Sequence, residues 1–333
     1  MRINDIGGWT DTWFSGEGKV LNLAVSPLVE VQIKVFENRE KREERVFVRV
    51  ENESDVFFVN PEKPTYDRHP FLQGAINSLP IPKDFELDVT LWTHVPTGIS
   101  TGTSASICVA LLGALDRLTS QRHPLDELVS LAHRVETEKL GLQSGIQDQI
   151  CASYGGICFI NMYRYPKAHV LKLELEEEVK RELDKRLCLI YLGETHSSSV
   201  VHDEVISFLD RESSQFKILK KLRALADRAK NCMLQGDLAS FGKLMTKNNE
   251  YQRSLYSRLI SREADLVIEV AKKYKAAGWK VNGAGGDGGS LTILGNQEKS
   301  LREQMLQEIN VLGRDIRSIP ISLNFSGLKV DEE

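Results

Sequence analysis

Residues 96–115, PTGISTGTSASICVALLGAL, set a loop of glycine, serine and threonine directly against a strongly apolar segment. Ile107, Ala110, Leu111, Ala114, Leu115 and Leu118 recur at helical spacing, and Val109 and Leu112 widen the apolar face, so a helix buried nearly all round is expected. A helix N-terminus leaves amide N–H groups unpaired and carries partial positive charge, and glycines let successive amides turn toward one anion. Gly98, Gly102, Thr103, Ser104 and Ser106 therefore read either as a cradle for a di- or triphosphate or as a glycine turn with hydroxyl helix caps. The Walker A motif is excluded, because GxxxxGK[ST] needs a lysine before the hydroxyl residue and this loop has neither Lys nor Arg.

Upstream the pattern is β-rich. KVLNLAVSPLVEVQIKVF (19–36) reads as two strands, the second alternating through Val29, Val31, Ile33 and Val35. The charged run ENREKREER (37–45) is expected as a solvated hairpin turn, followed by strands at RVFVRVE and VFFV. A helix should start at Pro70, and FELDVTLWTHV alternates again with Phe85, Leu87, Val89 and Leu91 inward. Downstream, helices are expected from Pro124 to Gly141 and at SGIQDQICASYGG, then a strand at ICFINMY. LELEEEVKRELDKR (173–186) has no apolar run and marks a boundary, giving domains at 1–175 and 186–333. The second half opens with LCLIYLG, runs through helical patterns from 199 to 274, and returns to sheet at WKVNGAGGDGGSLTIL. A helix near 297–311 and a strand SIPISLNF complete an α+β order.

The bulk numbers exclude several functions. With 333 residues, 41% of them apolar, two domains are the reasonable expectation. The 43 basic and 47 acidic side chains leave a charge of −4, no footprint for nucleic acid. Five cysteines without a CxxC pair, mostly in apolar runs, fit free thiols in a reducing cytoplasm. MRINDIGGWTD has no signal-peptide pattern, and ICVALLGAL is half a membrane span, so a soluble, unprocessed cytoplasmic protein is expected.

Three further segments could carry chemistry. NGAGGDGGS (282–290) holds five glycines within seven residues, more than a hairpin needs; it reads as backbone closing on a ligand or as a mobile turn. RINDIGGWTD sets Gly7 and Gly8 among Arg2, Asp5 and Asp11, suited to hydrogen bonding a polyol or simply a loop with solvated acids. Asp148 of QSGIQDQ and Glu136 each read alone as surface helix acids.

Taken in order, these segments resemble the galactokinase, homoserine kinase, mevalonate kinase and phosphomevalonate kinase superfamily, the GHMP kinases. RINDIGGWTDT is similar to the family's N-terminal substrate motif, and PTGISTGTSAS to its phosphate loop, with Thr101 where leucine is usual. VNGAGGDGGSLTIL resembles the third motif. The GGWTD form resembles L-fucokinase, and HRVETEKLGLQSGIQDQICASYGGICFIN resembles the D-glycero-D-manno-heptose 7-phosphate kinases.

The resemblance implies a two-domain α+β fold, with a ribosomal protein S5-like N-terminal domain and a ferredoxin-like C-terminal sandwich. It also implies ATP-dependent phosphorylation of a sugar or sugar-phosphate hydroxyl by a monomer or homodimer. By position, Asp148 matches the catalytic acid-base residue and Arg2 its basic neighbour; Ser104 and Glu136 match Mg²⁺ ligands. Pro96, Gly98, Ser100, Gly102, Thr103, Ser104, Ser106, Gly285 and Gly286 would hold ATP, and Gly7, Gly8 and Asp11 the sugar. The chain departs from the family where Met1 directly precedes Arg2, so that either the start codon is placed late or the usual preceding strand is missing, and where Asp287 replaces a glycine. His196 stands where heptose-phosphate kinases carry arginine, which favours an unphosphorylated sugar. A catalytically silent sensor on the same fold and a kinase for a non-sugar alcohol are the competing readings, the latter disfavoured by GGWTD.

Overall fold

A computed structural model describes residues 1–95, 98–194, 198–212 and 215–333. Three four-stranded sheets organise them. The first joins β1 (Arg2–Ile6), β2 (Gly18–Ala24), β7 (Ile157–Arg164) and β8 (Lys167–Lys172) in that order, all antiparallel. The second has the order β3 (Val29–Glu37), β6 (Phe85–Thr93), β4 (Val46–Val50), β5 (Asp55–Val59). The third has the order β10 (Gly278–Val281), β11 (Ser290–Leu294), β9 (Leu187–Leu192), β12 (Ile316–Ile319).

The second sheet corrects the expected hairpin at 37–45. β6 lies between β3 and β4, antiparallel to the first and parallel to the second, so the charged run crosses the end of β6 instead of turning back on its own strand. Burial explains the insertion: Leu87, Val89 and Leu91 of β6 line up with Val46, Val48 and Val50 of β4, and all six are buried. Within the run, Arg45 is buried and holds Glu62 through two hydrogen bonds of 2.7 Å. On β3, Val29, Val31 and Ile33 pack partly against this core, whereas Val35 is 43% exposed.

Helices α1 (Pro70–Ile76), α2 (Thr103–Asp116), α3 (Leu125–Arg134) and α4 (Gln147–Tyr154) pack between these two sheets and the site. α2 is buried nearly all round, as its composition requires. α3 runs into a wider-wound turn, Val135–Lys139, and the chain leaves it at Gly141 with φ +65°. α5 (Glu177–Arg186) links the halves, followed in the second half by α6 (Ser198–Arg211), α7 (Phe216–Leu234), α8 (Leu238–Leu255), α9 (Arg262–Lys273) and α10 (Lys299–Ile309).

The halves share a core: Ile3, Leu21, Leu23 and Ile157 belong to one apolar cluster with Leu183, Leu189, Leu225, Phe241 and Leu244. The expected strand at SIPISLNF is displaced toward the N-terminus, since β12 ends at Ile319 and Pro320 has no N–H to extend the ladder. The segment beyond returns to the first half, where Leu323 bridges Val25, Leu328 N–H donates to the Ser153 carbonyl at 2.9 Å, and the Leu328 side chain packs against Gly113. All five cysteines are free, and among the described residues no helix is long and apolar enough to cross a membrane.

Candidate active site

The start of α2 shapes the site. Gly98, Ser100 and Gly102 all have positive φ, between +60° and +74°, a region that glycine enters at no steric cost. At Gly102 a second constraint acts, because a β-carbon there would lie 2.9 Å from Cγ of Asp148. The Asp148 carboxylate, carried on the first turn of α4, thus sits directly against the loop that opens α2.

Arg2 holds this arrangement together. It is 4% exposed; its Nε donates to Asp148 Oδ1 at 2.7 Å, and Nη2 lies 2.6 Å from the same oxygen. Nη1 donates to the Ser100 carbonyl at 3.0 Å and to Asp5 at 3.4 Å. Burial opposes the charge on Arg2, but Asp148 and Asp5 outweigh it and hold its pKa above the ordinary value. Behind Arg2, Asp5 Oδ1 accepts from Lys280 Nζ at 2.9 Å and from Gly283 N–H at 3.0 Å. Burial alone would raise the Asp5 pKa, yet Lys280 and Arg2 bring it below its usual range.

The run at 282–290 braces the loop that opens α2. Ser290 Oγ donates to the Ile99 carbonyl at 2.6 Å, and Gly283, with φ +56°, packs against Ser100 and the Arg2 guanidinium. A cavity of about 540 Å³ opens in front of these elements. Arg2, Asp11 and Asp148 line it, as do Gly98, Ser100, Gly102, Thr103 and Ser104, and so does Glu136. These residues come from four separated stretches of sequence, and the fold brings them to one chamber.

Other expected site residues lie elsewhere. Gly7 and Gly8 sit behind the cavity wall: Gly7 N–H donates to Asn248 Oδ1 at 2.8 Å, and a β-carbon on Gly8 would meet Asp5 at 2.2 Å. They lie in the turn that precedes Trp9 and Asp11, both of which line the cavity. Ser106 faces its own helix, donating to the Gly102 carbonyl at 3.0 Å. From the third run, Gly283 and Ala284 reach the cavity, whereas Gly285 packs on Leu259 and Gly286 lines a separate depression with Arg258 and Asp287. Asp287 faces solvent, 74% exposed, 3.5 Å from Arg258 Nη2. Pro96 and His196 lie outside the described residues.

Two acids in the chamber have no cation against them among the described residues. Asp11, 2% exposed, accepts from Gln147 N–H at 3.1 Å and from the Gln147 amide at 3.3 Å; burial, with the charge of Asp148, pushes its pKa up to about 6. Glu136 is buried beside the Ser144 hydroxyl, which donates to it. Burial lifts its pKa to about 7, the Ser144 bond pulls the other way, and the Asp148 charge adds to the rise. Together with Ser104, Glu136 offers hard oxygen donors of the kind that suit a small divalent ion retaining water and phosphate ligands. Among the described residues no group of three or more His, Cys, Asp or Glu is placed to hold a metal ion by itself.

Two residues at the site escaped sequence reading, one beneath the cavity wall and one lining the cavity. Lys280 is fully buried beneath Arg2; its signal was a lysine flanked by Trp279 and Val281 in an apolar strand. His202 of α6 lines the cavity and meets Trp9 edge-on at 4.8 Å, and nothing in an ordinary amphipathic helix marks it.

Two family models match the chain: "GHMP kinases N terminal domain" at residues 71–156 and "GHMP kinases C terminal" at 219–310. A bifunctional fucokinase/GDP-fucose pyrophosphorylase of Arabidopsis thaliana is 24% identical over 322 residues, covering 92% of this chain and 30% of that protein. A mevalonate kinase of Methanothermobacter thermautotrophicus is 30% identical over 205 residues, covering 62% of this chain and 63% of that one. The chain thus spans less than two thirds of either relative's length. Among solved structures, a D-glycero-D-manno-heptose 1-phosphate kinase from Bacteroides thetaiotaomicron superposes with TM-score 0.75 at 19% identity, covering 99% of both chains.

Proposed function

Because the chain belongs to the GHMP kinases, we propose that it transfers the γ-phosphoryl group of ATP to a hydroxyl of a sugar or sugar phosphate, with Asp148 as the proton acceptor. The observation that carries this reading is the Asp148 carboxylate, pinned by Arg2 and set against Gly102 at the anion-attracting start of α2. Phosphates cradled by Gly98, Gly102, Thr103 and Ser104 would bring the γ-phosphorus to the carboxylate that receives the acceptor's proton. As that proton moves to Asp148, the acceptor oxygen forms its bond to phosphorus and ADP departs with the electrons of the broken P–O bond. Arg2 orients the Asp148 carboxylate through Nε and Nη2, and Asp11 is placed to accept hydrogen bonds from neighbouring sugar hydroxyls. Ser104 and Glu136 would hold Mg²⁺, which neutralises phosphate charge when bound.

A neutral polyol suits the acceptor side. Among the described residues lining the cavity, Arg2 is the one permanent cation and is already committed to Asp148 and Asp5. An acceptor bearing its own carboxylate or phosphate would meet Asp11 and Asp148 without a compensating charge. ADP release across a panel of free sugars, heptose phosphates and non-sugar alcohols tests the proposal. Turnover confined to non-sugar alcohols would overturn the sugar reading, and nucleotide binding without turnover of any acceptor would favour a sensor.

A further inference from the structure

His202 belongs to the second half of the chain, on α6, yet it lines the same cavity as Asp148 and Asp11. Its ring is fixed from two directions. Nδ1 lies 3.1 Å from the Gln143 carbonyl, and the Trp9 ring meets it edge-on with centroids 4.8 Å apart. Gln143 is itself anchored: its side-chain oxygen accepts from Trp13 Nε1 at 2.7 Å, and its N–H donates to Ser199 Oγ at 3.3 Å. Gln143 thereby ties Trp13, just beyond the GGWTD turn, and the first turn of α6 to the loop that holds the imidazole.

A carbonyl can only accept, so Nδ1 must carry the proton and Nε2 of the neutral ring carries a lone pair. Burial holds His202 in that neutral form by lowering its pKa, with the Gln143 bond and the charges of Asp148 and Asp203 opposing and Arg2 reinforcing. Among the described residues nothing donates to Nε2. Asp11 and His202 thus both line the cavity, the first an acceptor of hydrogen bonds from the N-terminal half and the second carrying an unused acceptor nitrogen from the C-terminal half.

We infer that His202 is a substrate-binding residue whose Nε2 accepts a hydrogen bond from a hydroxyl of the phosphoryl acceptor, one remote from the hydroxyl that reacts at Asp148. The assignment rests on the proposed kinase activity, which it deepens by adding a specificity contact from α6. The Gln143 carbonyl sets the tautomer and the Trp9 edge sets the plane of the ring, so an acceptor lacking a hydroxyl at the matching position loses that contact.

Asparagine and glutamine separate the two ring nitrogens. His202→Asn can keep a donor near the Nδ1 position for Gln143 but has nothing at Nε2, whereas His202→Gln can place an amide oxygen near Nε2. Steady-state kinetics with the best sugar from the panel should show the acceptor KM raised about five- to tenfold in H202N. In the same variant kcat should fall less than about twofold and the ATP KM should stay put, with partial recovery of the acceptor KM in H202Q. Removing the acceptor's hydroxyls one at a time should identify one deoxy sugar that costs the wild type the same factor and costs H202N nothing. An unchanged acceptor KM in H202N, or deoxy penalties identical in both proteins, would overturn the inference. Failure of the parent reading is distinct: the wild type itself would release no ADP with any sugar. Calorimetric titration with the same sugars then decides, and equal binding, or none, by wild type and H202N would overturn the inference.

Discussion

Asp5 and Asp11 lie six residues apart at the N-terminal turn, are 1% and 2% exposed, and have opposite surroundings. Asp5 is packed against Lys280, Arg2 and the Gly283 amide, so its charge is compensated inside the protein. Asp11 and Glu136, which line the cavity, receive hydrogen bonds from neutral amides and a hydroxyl, Gln147 for the first and Ser144 for the second. An isolated buried charge is costly, which is why the pKa of Asp11 rises to about 6 and that of Glu136 to about 7 while that of Asp5 falls. The compensated acid belongs to the frame; the uncompensated ones line the cavity and have room for what a ligand brings. Asp148 stands between the classes, held by Arg2 on one side and open to the cavity on the other.

The largest effect should come from the acid that bridges the two classes. Asp148→Asn keeps the shape but removes the proton acceptor, and kcat should fall by about 10²–10⁴ with nucleotide affinity largely retained. An equally active variant would remove Asp148 from the proposed chemistry. Lys280→Met attacks the frame: it strips Asp5 of one of its two cations in the interior, and unfolding free energy should drop by about 3–5 kcal/mol. Denaturant melts measure this, and a variant as stable as the wild type would show that Asp5 does not depend on Lys280.

The cavity acids predict a pH dependence of the opposite sign. Glu136 binds its proton more tightly folded, with a pKa of about 7, than unfolded, where 4.5 applies. Its contribution to stability is therefore fully present below pH 4.5 and lost as pH rises through about 7. Glu136→Gln should be more stable than the ligand-free wild type at pH 8 by roughly 1–3 kcal/mol, with the gap closing toward pH 4. Thermal melts across that range test the sign. Mg²⁺ with ATP should stabilise the wild type more than E136Q; equal stabilisation of both would separate Glu136 from the metal.

How much of this was legible in the sequence depends on whether the determinant is local. The loop before α2 was readable because Gly98 and Gly102 advertise positive φ and the apolar helix behind them is periodic. The hairpin expected at 37–45 failed because pairing order is a tertiary choice: β6, forty residues downstream, buries its face better beside β4 than β3 can. GGWTD read as a single substrate motif, yet its two glycines shape the turn and its Trp9 and Asp11 reach the cavity. Lys280, marked only as a lysine in an apolar strand, and His202, not marked at all, were missed for a related reason. Each acquires its role from a partner more than fifty positions away, Asp5 for one and Gln143 for the other, and no local spacing encodes such a meeting.

Asp287 supplies the smallest effect and the sharpest check on the comparison, since it is an acid in a ligand motif that belongs to neither buried class. Its carboxylate is solvated, near Arg258, on the rim of a depression separate from the main cavity. Solvent screens both the pair and any repulsion of a phosphate in the cavity. Asp287→Asn should accordingly leave the melting temperature within about 2 °C and the ATP KM within about twofold. A tenfold fall in the ATP KM would mean that the run at 282–290 folds over the nucleotide in the bound state and carries Asp287 toward the phosphates. Position in the ligand-free fold would then no longer separate cavity acids from surface ones.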